Sequence, residues 1–290
     1  MPKYRYRIVD VFTDAPLEGN PLAVIPDARG LDAAAMLRIA REFNLSETTF
    51  AFPPTQPDTA AVVRIFTPTY EMTFAGHPTI GTAAVLRDEG RVPADAVRFV
   101  LEEKVGPVPV RVDGDMLWLT TPPIALGREY DRAACARAIG LDERDLLPGV
   151  PPHWLSAGNP NVYIPVVDKA AVDRAWTDRS ALAALHGSTS DPTCIFVFTP
   201  TPEGAYSRMF APEHGVVEDP ATGSATGPLA AYMMRYGLAA HADGTRFVSE
   251  QGTKMGRRSL LYVAIHGDHG ADGIEVGGRV VPFAEGTFQL

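Results

Sequence analysis

Apolar and polar positions alternate over "YRYRIVDVF" (4–12), and short apolar runs recur at "TTFAF" (48–52), "AAVVRIF" (60–66), "TCIFVF" (193–198) and "SLLYVAI" (259–265). Alternation and short runs bounded by Pro or Gly predict strands. "VPVRVDGDMLWLTTPP" (108–123) reads as a hairpin turning at Asp113–Gly114. A different period marks "LDAAAMLRIAREFN", where Met36, Ile39, Ala40 and Phe43 share one helical face behind Asp32 as N-cap. "AAVDRAWTDRSALAALHG" is helical in pattern, with a break near Thr177–Asp178. "TGPLAAYMMRYG" is apolar on nearly every side, and "GTAAVLR" after His77 is its shorter counterpart. A helix apolar all round belongs at the centre of a domain.

The pattern repeats. "FAGHPTIGTA" (74–83) resembles "VEDPATGSATG" (217–227), each with a polar residue, Pro, two residues, Gly, one residue and Ala. His77 and Asp219 then correspond at an offset of 142. "RIFTP" pairs with "RMFAP" at offset 144, "GNPLAVIP" with "GNPNVYIP" at 139, and "SETTFAF" loosely with "DPTCIFVF". Four blocks in one order predict two α+β domains of similar topology. Each is a strongly bent, mostly antiparallel sheet around a central buried helix, and the two are related by a pseudo-twofold. The expected boundaries are 1–122, joined by a C-terminal strand over about 279–290, and 123–278. Such symmetry is expected to bring both helix starts to one interdomain cleft. Unpaired N–H groups and the helix dipole there suit a carboxylate, and Pro is tolerated in a first turn.

Composition narrows the function. The 290 residues are 46% hydrophobic and 21% charged, with a net charge of −9. Acidic balance without a basic run points away from nucleic acid and anionic membrane. Cys135 and Cys194 form no ligand pattern, so neither a disulfide scaffold nor structural zinc is expected. The N-terminus lacks a signal-peptide core and no apolar window is long enough to span a bilayer, so the protein is expected in the cytoplasm. No G-x-G-x-x-G, P-loop or H-E-x-x-H occurs, and "GSATG" is not a serine-hydrolase elbow. "HGDHGADG" (266–273) reads as a hairpin loop rather than a metal site.

"GNPLAVIP", "EFNLSETTF", "FTPTYEMTFAGHPTIGTA", "EDPATGSATG" and "QGTKMGRRS" together resemble the phenazine-biosynthesis PhzF-like isomerases, of the wider diaminopimelate-epimerase-like fold. The resemblance runs from about residue 5 to 285. It implies a cofactor-independent homodimeric enzyme, without metal, that moves a proton between carbons of a small amino- or carboxylate-bearing substrate in the interdomain cleft. The best-understood members isomerise a dihydro-hydroxyanthranilate. The resemblance places the proton shuttle on Glu47 and further site residues on His77, Asp219 and Ser224. The wider fold includes racemases with a thiol at each helix entrance, and this chain has none there. Arg258 stands where the family pattern has proline, and reads as a solvated surface residue.

An apolar wall beside Glu47 is expected to desolvate its carboxylate and move its pKa towards neutrality. His77 is suited to hold or protonate a substrate atom, and Asp219 to accept from a substrate ammonium or orient His77. Taken alone, His77 reads as a turn residue and Asp219 as an N-cap. The N–H groups of Gly223 and Ser224, with the Ser224 hydroxyl, suit a substrate carboxylate. Gly76 and Asn20 are expected to bind substrate beside them, with Asn159 the twin of Asn20. The alternatives are a racemase or epimerase using Glu47 as one acid/base, and a non-catalytic small-molecule-binding protein.

Overall fold

The computed structural model describes residues 1–186, 193–240, 242–267 and 273–290. The proposed hairpin loop at 266–273 therefore lies mostly outside the described residues, as does the start of "DPTCIFVF". The chain forms two compact units, Met1–Thr120 with Gly277–Leu290, and Thr121–Val276.

The first unit opens with β1 (Lys3–Val11), β2 (Asn20–Ile25), α1 (Ala33–Phe43), β3 (Glu47–Phe52), β4 (Ala61–Phe66) and β5 (Glu71–Met72). Then come α2 (Gly76–Asp88), β6 (Arg98–Glu103), β7 (Gly106–Asp113) and β8 (Met116–Thr120). The α1 helix forms as its pattern predicts. Asp32 caps it by accepting from Ala35 N at 2.8 Å, and Met36, Ile39 and Ala40 are buried. Asn44 ends it in the left-handed region, which a short polar side chain tolerates. The β1–β2 pair is antiparallel, with Val11 opposite Asn20. The α1 and α2 crossovers make β2–β3 and β4–β6 parallel, because parallel neighbours need a long connection. The remaining pairs among these strands, β3–β4, β4–β5, β6–β7 and β7–β8, are antiparallel, and Asp113–Gly114 turns the last hairpin.

The second unit adds β9 (Ala125–Glu129) and α3 (Arg132–Ala138), then repeats the order. It runs β10 (His153–Ser156), β11 (Pro160–Pro165), α4 (Lys169–Arg174), α5 (Arg179–His186), β12 (Cys194–Thr201), β13 (Gly204–Ala211) and β14 (Val216–Asp219). It closes with α6 (Gly223–Arg235), β15 (Arg246–Gln251), β16 (Ser259–Ile265) and β17 (Ile274–Gly278), before β18 (Val280–Gln289) returns to the first unit. The break expected near Thr177–Asp178 separates α4 from α5. Here too β11–β12 and β13–β15 are parallel and flank helical crossovers. β18 pairs antiparallel with β1 along its length, and β9 pairs with β10 in the equivalent place.

The repeat extends to side chains. Arg64 on β4 forks onto Glu71 of β5 at 2.7 and 2.8 Å, and Arg208 on β13 forks onto Glu218 of β14 at 2.8 and 2.8 Å. Each guanidinium also covers a phenylalanine two residues on, Phe66 at 5.2 Å and Phe210 at 4.7 Å. The second arginine-to-glutamate interval is three residues longer, and it contains a 3-10 turn of three residues, Pro212–His214. That insertion corrects the register read from sequence. The central helices start at Gly76 and Gly223, an offset of 147. His77 therefore corresponds to Ser224, not to Asp219. Pro78 lies in the first turn of α2, whereas Pro220 precedes α6, so the Pro-x-x-Gly likeness is not a structural equivalence.

Both central helices are buried nearly all round. The α2 helix packs on β1, β2, β3 and β8, and α6 on β10, β11 and β16. Gly81 lets α2 approach the sheet. A Cβ there would stand 2.6 Å from Leu22 Cδ2 and 2.8 Å from Val11 Cγ2, both fully buried. No helix among the described residues is long and apolar enough to cross a membrane.

Gly81→Ala gains about 1 kcal/mol of helix propensity but overpacks a site with no room, at a cost of about 1–3 kcal/mol. The expected net result is a lower urea midpoint at unchanged m-value. A midpoint equal to or above wild type would show that the helix–sheet contact can relax.

Candidate active site

In the first unit, Gly19 ends the turn after β1 at φ +67°, where a Cβ would meet Val11 O at 2.4 Å. Glycine is thus required there, and it delivers Asn20 as the first residue of β2, fully buried. Asn20 Nδ2 lies 3.2 Å from His77 Nδ1. An amide nitrogen only donates, so Nδ1 accepts and the ring proton of neutral His77 sits on Nε2. That nitrogen lies 3.4 Å from Glu47 Oε2, long for a hydrogen bond. Glu47 opens β3, next to β2, with its side chain 15% exposed.

His77 is the second residue of α2, so it is a helical and buried residue rather than a turn residue. Burial pushes its imidazole pKa down to about 3. The ring is therefore neutral at pH 7, and the Glu47–His77 contact is a carboxylate facing a neutral N–H rather than an ion pair. This gives His77 the character of an electrophilic donor. Behind the helix, Thr82 Oγ1 donates to Thr49 Oγ1 at 2.7 Å, tying α2 to β3 two residues from Glu47.

In the second unit, Asp219 ends β14 and is buried. It does not cap α6; Thr222 holds the N-cap position and makes no side-chain cap bond. Thr222 Oγ1 instead donates to Asp219 Oδ2 at 2.5 Å. Gln251 fixes the corner, donating to Asp219 O at 2.7 Å and Thr222 Oγ1 at 3.0 Å while accepting from Thr222 N at 3.2 Å. Asn159 Nδ2 donates to Ser224 Oγ at 3.2 Å. The Asn–Pro twins thus do equivalent work, each holding the second residue of a central helix.

The helix starts differ in one telling respect. Asp32, Asp131, Asp168 and Asp178 cap α1, α3, α4 and α5 through side-chain oxygens at 2.7–2.8 Å. The central helices have no side-chain cap. Their first-turn N–H groups, those of Gly76, His77, Gly223 and Ser224, carry partial positive charge and suit an anion.

Sequence reasoning missed Thr222 and Gln251, although "QGTKMGRRS" was conspicuous. It also missed Thr79 and Glu103, which meet behind His77 with Thr79 Oγ1 2.6 Å from Glu103 Oε1. The available signal was strand alternation: in "FVLEE" Leu101 and Glu103 share the buried face. Arg258 is exposed, 3.5 Å from Glu250 on the surface of its unit. Cys135 is buried in α3 and Cys194 opens β12, and the two are not joined in a disulfide.

The model built for the family described as phenazine biosynthesis-like protein matches residues 9–286. An uncharacterized isomerase of Mesorhizobium japonicum is 40% identical over 99% of both chains. The trans-2,3-dihydro-3-hydroxyanthranilate isomerase of Pseudomonas chlororaphis is 37% identical over 99% of this chain and 100% of its own. The crystal structure of a PhzF-family phenazine biosynthesis protein from Bacillus anthracis superposes with a TM-score of 0.90 at 25% identity, covering 100% of both chains. A mixed α+β chain with these full-length relatives is an isomerase. It belongs to the phenazine biosynthesis-like protein family.

His77 is expected to hold its proton on Nε2 and not to titrate between pH 5 and 8, which ring nitrogen shifts in labelled protein will read. Its folded pKa lies below the unfolded value of 6.5, so its stability contribution is complete above pH 6.5 and is lost as pH falls towards 3. A ring midpoint near 6.5 would contradict the buried, neutral assignment.

Proposed function

We propose that this isomerase moves a proton between carbons of a small substrate bearing an amine and a carboxylate, with Glu47 taking and returning the proton. One observation carries this: a largely buried carboxylate faces a neutral imidazole whose tautomer Asn20 sets, beside a central helix with no side-chain cap. A carbon acid needs a base and a way to spread the charge left on carbon. Glu47 supplies the base. The His77 Nε2–H donor and the open N–H groups at the start of α2 supply stabilisation for an oxyanion or carboxylate. We assign Asp219 to the catalytic set and Ser224, Gly223, Asn20 and Gly76 to substrate binding. The name of the Pseudomonas chlororaphis relative suggests the substrate class, an unsaturated cyclic amino acid such as dihydro-hydroxyanthranilate. No step in this scheme calls on a cofactor. We further infer a cytoplasmic homodimer; two cysteines that form no disulfide agree with a reducing compartment.

The test is deuterium uptake in D₂O from a panel of cyclic and acyclic amino acids that includes dihydro-hydroxyanthranilate. Wild type should label its substrate at carbon. Glu47→Gln should be slower by about 10²–10⁴-fold, the usual worth of a positioned acid or base. Equal labelling by both proteins would remove Glu47 from the reaction. Uptake at Cα with inversion and no shift of unsaturation would identify an epimerase instead.

A further inference from the structure

Glu103 is the last residue of β6, 7% exposed, against the buried side of α2. Its Oε1 lies 2.6 Å from Thr79 Oγ1, and the same hydroxyl lies 2.7 Å from Ala75 O. A threonine hydroxyl has one proton and two lone pairs. A carbonyl oxygen can only accept, so the hydroxyl proton belongs to the Ala75 bond. The second short contact then needs its proton from the other side, which makes Glu103 the donor. Glu103 Oε2 has no hydrogen-bond partner and is shielded from solvent. As the carbonyl oxygen of a neutral acid, that atom costs far less to leave unpaired than a carboxylate oxygen would. The first turn of α2 is closed by Thr79 N donating to Ala75 O at 3.2 Å; the hydroxyl bond to the same oxygen reinforces it, and His77 sits inside that turn.

We propose that Glu103 is a positioning residue for His77: as a neutral carboxylic acid it donates to Thr79 Oγ1, and this holds the first turn of α2 in the shape that aims His77 at Glu47. The proposal rests on the assignment of His77 and Glu47 as the reacting pair. Ionised Glu103 is acceptor-only and takes the Thr79 proton from Ala75 O, which leaves that turn on its longer backbone bond alone and shifts its geometry.

Burial raises the Glu103 carboxyl to about 8. No charged side chain contributes to that shift. The ionisable groups on the surrounding elements are engaged elsewhere or neutral. Glu102, on the opposite face of β6, accepts from Thr55 and Thr59. Lys104 and Arg64 both pair with Glu71. On β7, which is hydrogen-bonded to β6, Arg111 lies 3.5 Å from Asp113. On α2, His77 is neutral, while Arg87 and Asp88 lie at the far end of the helix.

The experiment follows the His77 ring signals in substrate-free wild type, Glu103→Gln and Thr79→Val from pH 6 to 10. Substrate plays no part, so failure of the isomerase assignment leaves this result intact. Wild type should show one transition with a midpoint near 8. Glutamine still donates to Thr79 but cannot ionise, so Glu103→Gln should keep the neutral-pH spectrum throughout. Thr79→Val cuts the link and should also lose the transition. The sign for stability is fixed too. The folded value lies above the unfolded 4.5, so stabilisation by Glu103 is complete below pH 4.5 and declines up to pH 8. The melting temperature of Glu103→Gln relative to wild type should therefore rise over that window and level off above it. His77 signals that stay unchanged to pH 10 in wild type would overturn the proposal. So would a transition that persists in either variant, and Thr79→Val alone decides if Glu103→Gln does not fold.

Discussion

Burying a helix on every side constrains everything else in each unit. From Gly76 to Leu86 all but one residue of α2 is buried, and α6 is buried from Ala225 to Met233 apart from Ala231. Such a helix has no wet face, so the sheet must curl round it and its connections must cross in parallel pairs on either side. Close approach is possible because small residues line these helices, Gly81 against Leu22 and Val11 and Gly227 against Thr121. The termini are where the arrangement ends. A capping side chain would fill the space in front of the helix, and α2 and α6 go without one while four peripheral helices take an aspartate. The uncapped helix starts are thus a by-product of how the core is built.

The same burial sets the chemistry of His77. In water its ring would share a proton near neutral pH; inside the first unit it stays neutral. Asn20 then decides which nitrogen carries hydrogen. The tautomer is inherited from a strand that starts beside the helix, which in turn depends on the left-handed turn at Gly19. The second unit uses the same geometry with a different side chain, since Asn159 holds the hydroxyl of Ser224. One fold motif repeated twice therefore presents an imidazole in one copy and a hydroxyl in the other.

Much of this was legible in the sequence. Strand alternation, the Asp32 cap, the Asp113–Gly114 turn and the all-apolar helices translate directly into elements, and the repeated blocks translate into repeated topology. The register of the repeat was not legible. Two Pro-x-x-Gly stretches matched better by letter than the true equivalents, because three residues of 3-10 turn sit between Arg208 and Glu218. The pairing of those two residues is a contact between strands, and no local pattern announces it. Glu47, His77 and Asn20, which the structure brings together, stood out in the sequence because motif and strand edge coincide. Gln251, Thr222 and Glu103 escaped because their roles arise from what lies opposite them.

The return of β18 to β1 has a consequence for the order of assembly. Besides β2, the first strand pairs with a segment made after the whole second unit, at Val280–Gln289. The second unit has every one of its own strands available once residue 278 has been translated. The first unit, though synthesised earlier, must hold an open edge along β1 until then, with a backbone ladder of nine residue pairs still to form. Contacts this distant in sequence close slowly, so the half of the molecule that carries Glu47 and His77 is the half that finishes last.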